Sequence, residues 1–152
     1  MRYGAYTALD RIKIARGTAG GLELQRIDGR WQVPSLWNAP ADAEKIRRLL
    51  QAVMRLTGEV RGNSKELFDD FGITDTQAVH VTLMEGTKER LHLLISAVPA
   101  GLRQLFVRQA EGVTVFLCES DLWSTLGIAG DPATSQPGAE AWTDLVVTHF
   151  ES

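Results

Sequence analysis

Residues 31–57, WQVPSLWNAPADAEKIRRLLQAVMRLT, decide how this chain reads as a fold. A strand ending in Trp31 and Val33 runs into a loop bracketed by Pro34 and Pro40. The loop leads to a segment in which Ile46, Leu49, Leu50, Val53, Met54 and Leu56 recur at helical spacing, with charge on the other side. That pattern predicts one long amphipathic helix over 42–57. Asp42 is placed as its N-cap, where a carboxylate accepts a free amide of the first turn and meets the positive end of the dipole. Glu44 and Arg48 pair at i,i+4, and Gly58 takes the C′ position. Its apolar stripe is the largest surface on which the shorter segments can pack.

Upstream, Ile12 and Ile14 flank Lys13, and Leu22 and Leu24 alternate with Glu23 and Gln25. Asp28-Gly29 marks a two-residue hairpin turn, because both central residues of that turn need positive φ. The opening third therefore predicts a three-stranded antiparallel meander. Downstream, Ser64 caps a shorter helix carrying Leu67, Phe68 and Phe71, which Gly72 ends. Val79, Val81 and Leu83, then Leu91, Leu93 and Ile95, alternate with polar residues and form a second hairpin. A third joins 105–108 to 113–117, and Ser120 or Asp121 starts a last short helix through Leu122, Trp123 and Leu126, stopped by Gly127.

The expected fold class is thus α+β: an antiparallel sheet of meander and hairpins, one long helix packed on it, and two short helices. A single domain spans 1–127, a Gly/Pro/Ser/Ala-rich linker covers 128–141, and 142–152 is a terminal strand that could open a following repeat.

Composition bounds the function. The chain has 152 residues, enough for one sizeable core, with 44% hydrophobic and 23% charged residues. A net charge of −3 gives no reason to approach a phosphate backbone, so no nucleic-acid partner is expected. No run reaches the roughly 18 apolar residues of a membrane span, and the first residues lack a signal-peptide core, so membrane association would come only through segments absent from this chain. Cys118, the sole cysteine, follows Val115-Phe116-Leu117 and reads as a small buried hydrophobe.

No constellation supports catalysis, and no cofactor is expected. Asp70-Phe71-Gly72 spells the metal-binding triplet of protein kinases, but the Gly-rich loop, strand lysine and HRD loop are missing. The glycines of GTAGG (17–21) do not form a phosphate loop, and no G-x-S-x-G elbow frames a nucleophile. His80 and His92 fall on the polar parity of neighbouring strands, roughly opposite each other across the turn near Gly86. Two imidazoles on one face could hold Zn²⁺ or Cu²⁺, but a third ligand is wanting, since nothing in the spacing ties His149 to them. Solvent-facing histidines are the reading the residues favour. Trp37 could contact a partner, since aromatic anchors dominate binding hot spots, although packing on the domain's own core is the more expected role.

In linear order the segments resemble the bacterial and archaeal family catalogued as domain of unknown function 4340. The resemblance rests on Leu9-Asp10-Arg11-Ile12, on Arg26 with Gly29 and Trp31 (an R-x-x-G-x-W segment), and on Pro40-Ala41-Asp42 opening the helix. Phe71-Gly72-Ile73, Phe106-Val107-Arg108 and Val115-Phe116-Leu117 extend it to about residue 127. Ser96 departs from the glycine usual after the strand Leu93-Leu94-Ile95. The resemblance implies an extracytoplasmic, cell-envelope setting, no established catalytic residues, and neighbours among gliding-motility-type ABC transporter auxiliary components. The function expected is a non-catalytic protein-interaction or assembly module whose partner is a membrane transporter subunit. The alternative is a small-ligand or metal-binding domain using the His80/His92 face.

Overall fold

The computed structural model describes residues 9–18, 21–96, 103–120, 122–126 and 142–143. Strands dominate it. Among the described residues these are β1 (Arg11–Arg16), β2 (Leu22–Ile27), β3 (Arg30–Val33), β4 (Ala39–Pro40), β5 (Gly58–Asn63), β6 (Val79–Glu85), β7 (Lys88–Ile95), β8 (Gln104–Gln109) and β9 (Thr114–Glu119). All pair antiparallel in one sheet of order β4-β3-β2-β1-β6-β7-β8-β9-β5. The helices are α1 (Ala43–Met54), α2 (Phe68–Phe71, after a 3-10 turn at Lys65–Leu67) and α3 (Leu122–Thr125).

The expected α+β plan built on one long helix is therefore corrected. The organising element is a nine-stranded antiparallel sheet, and no long helix is present among the described residues. α1 has 12 residues, about three turns, and α2 and α3 have four each. The helix stops at Met54 because the chain is already turning: the N–H of Arg55 reaches both Gln51 and Val53 carbonyls. Gly58 is not its C′ residue but the first residue of β5. A Cβ there would lie 2.6 Å from the Leu117 carbonyl oxygen and 2.7 Å from Cys118 Sγ, so glycine permits the close approach to β9.

Local chemistry explains much of the rest. Asp28 (φ 53) and Gly29 (φ 79) make the tight β2–β3 turn that Asp-Gly predicts. Asp42 Oδ1 accepts from the Glu44 and Lys45 amides at 3.0 and 3.3 Å, capping α1. Gly72 (φ 71) ends α2 in the left-handed conformation. The N–H of Leu122 donates to Ser120 Oγ at 3.0 Å at the start of α3.

α1 connects the two edges of the sheet, leaving β4 at one and delivering the chain to β5 at the other. Twelve helical residues span about 18 Å. Nine strands at a spacing of about 4.8 Å span about 38 Å when flat. The links at 41–42 and 55–57 supply the remainder, and the twist of the sheet brings its edges closer. Ile46, Leu49, Leu50 and Val53 pack on one face of the sheet with Ile12, Ile14, Leu24, Val81, Leu83 and Leu105. Trp142 is 1% exposed in this same core, and its carbonyl accepts from the Asp42 amide at 2.7 Å. The proposed linker 128–141 and the rest of the terminal strand, 144–152, lie outside the described residues.

The opposite face carries a smaller cluster in which Phe68, Ile73, Ala78, Leu94 and Val115 are covered by Phe71 and Phe106. Cys118 is buried on the main-core side, and burial pushes its thiol up to about 11. It is inert at neutral pH.

Candidate functional site

The β6–β7 hairpin turns at Gly86 (φ 63), and its register sets Thr82 against His92 and His80 against Leu94. The two histidines are therefore diagonal neighbours on the second face, one step from the roughly opposite placement the sequence suggests. Their rings lie 5.0 Å apart between centroids, tilted by 47°. His80 Nδ1 and His92 Nε2 are 2.8 Å apart, a hydrogen bond between imidazoles. His80 Nε2 lies 2.7 Å from the Asp75 carbonyl oxygen. A carbonyl only accepts, so Nε2 of His80 carries the proton and a neutral His80 accepts at Nδ1. His92 then donates from Nε2 and turns its bare Nδ1 toward Glu89 Oε1, 3.5 Å away. Burial holds His92 below the ordinary imidazole range, and neighbouring His80 lowers it further, while Glu89 and Asp75 act the other way.

This geometry lets His92, once protonated, donate from Nδ1 toward Glu89 as well as from Nε2 to His80. It suits a metal less well. Two imidazoles on tetrahedral zinc hold their nitrogens about 3.4 Å apart, so the rings would have to separate to admit an ion. Among the described residues no group of three His, Cys, Asp or Glu side chains could hold one. His149, the third ligand weighed from the sequence, lies outside those residues.

Sequence reading missed the residue that organises this face. Arg108, 3% exposed on β8, donates from Nε to the Ile73 carbonyl (2.8 Å) and from Nη1 to the Ala110 carbonyl (3.0 Å). Its Nη2 reaches Asp75 Oδ1 at 2.7 Å, and its guanidinium lies 4.1 Å from the Phe68 ring centroid. The loop from Ile73 to Ala78 is thus fastened twice, by Arg108 at the Asp75 carboxylate and by His80 at the Asp75 carbonyl. Beside it lies an open cavity of about 540 Å³ lined by Lys65, Phe68, Thr74, Asp75, Arg108 and Val113. The available signal was a charge closing the strand LFVR, whose neighbours are apolar.

Trp37 stands elsewhere, on the loop before the edge strand β4. The expectation that it packs on the domain's own core is corrected: it is 93% exposed. The 3-10 turn Pro34–Leu36 ends with Trp37 at φ 54, ψ 40, and Asn38 follows at φ 59. Two consecutive left-handed residues swing the chain back into β4 and point the indole outward, while Leu36 packs inward. Asn38 tolerates this conformation, but at Trp37 it costs about 1–2 kcal/mol of backbone strain.

Residues 31–129 match the model of the family described as Domain of unknown function (DUF4340). The chain belongs to that family. No curated protein and no solved structure matches it. The DUF4340 match contains Trp37, His80, His92 and Arg108, and with them both candidate regions. It begins later than the resemblance drawn from residue 9, leaving β1 and β2 ahead of it, and Trp142 completes the core from beyond its end. Ser96, where the resemblance implies glycine, continues the β7–β8 ladder, accepting at Oγ from the Phe106 amide (3.1 Å). Among the described residues no helix is long and apolar enough to cross a membrane.

Proposed function

We propose that this domain is a non-catalytic protein-interaction module, with Trp37 as its anchor for a protein partner. The observation that carries the reading is an almost fully exposed tryptophan held on a left-handed backbone. Strain of this kind persists where surrounding structure enforces it, and tryptophan is among the side chains enriched at binding hot spots. On the family resemblance, we further propose the cell envelope as its setting and a subunit of an ABC-type transporter as its partner.

The test is a crosslinking pull-down on solubilised membranes of the source cell, with the whole chain as bait. Recovery of one transporter-type complex, lost with Trp37→Ala, is the expected result. Equal recovery by both baits contradicts the role of Trp37, and recovery of nothing above background contradicts the module.

The second reading, a metal or small-ligand site at His80 and His92, has in its favour two imidazoles brought together on one sheet face, whose mutual hydrogen bond an ion would have to replace. Calorimetric titration with zinc separates the two: equal binding by the parent and His92→Ala removes it.

A further inference from the structure

The sheet's two edges differ. β4 is two residues long and contains Pro40, which has no N–H to offer a neighbouring strand. β5 is six residues long, and its outer edge faces no other strand among the described residues. All of its residues but the half-buried Gly62 are exposed, including Val60 at 59%. On the inner side, Val60 pairs with Phe116, next to a groove of about 350 Å³ whose lining includes Leu56, Leu91, Leu93 and Phe116.

We infer that β5 pairs antiparallel with β5 of a second copy of this chain, about a two-fold axis at Val60. The central triplet Glu59-Val60-Arg61 is self-complementary under that operation. Val60 meets the partner's Val60, and Glu59 meets the partner's Arg61. Glu59 and Arg61 already meet, with Arg61 Nη2 2.6 Å from Glu59 Oε1, so the dimer arranges four charges in alternating sign across the axis. The result is one continuous sheet with β4 and its Trp37 loop at both far ends. Such a dimer presents two anchors, and a partner array engages them with the gain of a linked pair. The pairing itself does not depend on what Trp37 contacts.

Charges and a bulge also serve to keep edge strands apart, and β5 has a bulge between Val60 and Gly62. That role predicts a monomer. Sedimentation equilibrium of the whole chain over about 0.01–1 mM, the range of weak interfaces, distinguishes the two. The expected mass climbs from 16.7 kDa toward twice that value. Glu59→Lys and Arg61→Glu each set like charges across the axis, and each variant alone stays monomeric at every concentration. Mixed one to one they dimerise again, because Lys at 59 then meets Glu at 61, and Arg61 meets Glu59. Far-ultraviolet circular dichroism confirms that both variants are folded. A monomeric parent throughout that range overturns the inference, whether the edge is guarded or covered from within the chain. So does a dimer indifferent to both charge reversals, or a mixture that fails to re-form it.

Discussion

At the scale of single residues, most of what holds this domain together is ordinary burial, and three positions go beyond it. Arg108 combines carbonyl, carboxylate and aromatic partners at nearly complete burial. Arg108→Met leaves the Ile73 and Ala110 carbonyls unpaired and should cost roughly 2–4 kcal/mol in urea denaturation. His92 gives stability a pH dependence of definite sign. The unfolded imidazole titrates near 6.5, while burial holds the folded one lower. As pH falls through 6.5 the unfolded chain therefore takes up the proton first, and stability drops until the folded value is passed. His92→Gln should flatten that decline, measured as the difference in unfolding free energy between about pH 7.5 and about pH 5.5. Trp37 is the opposite case. Having 93% exposure, it contributes little packing, and Trp37→Ala should change stability by less than about 0.5 kcal/mol.

At the scale of elements, what sequence reveals depends on whether a segment's partner is near in the chain. The β2–β3 turn, the β6–β7 and β8–β9 hairpins, the Asp42 cap and the Gly72 stop are all written in local alternation and turn chemistry. β5 is not. Gly-Glu-Val-Arg-Gly-Asn has one apolar residue and no alternation, and it becomes a strand only because β9, distant in sequence, presents Thr114 to Cys118 beside it. α1 was legible in its position and its buried residues but not in its length, because Met54 to Gly58 must turn toward an edge strand invisible to local patterns. Leu50, 5% exposed on that helix, tests the packing: Leu50→Ala should destabilise the fold by roughly 2–5 kcal/mol in thermal or urea unfolding. The candidate site divides the same way. The pairing of His80 with His92 was visible as strand parity, to within one diagonal step. The contribution of Arg108 depends on a loop that only the tertiary fold brings over β8.

At the scale of the molecule, a nine-stranded sheet is bridged by one helix between its edges, and the core closes with a residue from far along the chain. Trp142 is buried among the strands and helices of the main core. Trp142→Ala should cost roughly 3–5 kcal/mol, the range for removing a buried aromatic, and differential scanning calorimetry would show it as a lowered Tm. This architecture leaves Trp37 standing out beside the shorter edge, and the functional reading depends on that placement. The most direct measurement installs a photoreactive phenylalanine analogue at position 37, and separately at exposed Lys88, in the source cell. A single adduct with one envelope protein from position 37, and none from position 88, is the result predicted here. No adduct from position 37, or the same adducts from both positions, would contradict it.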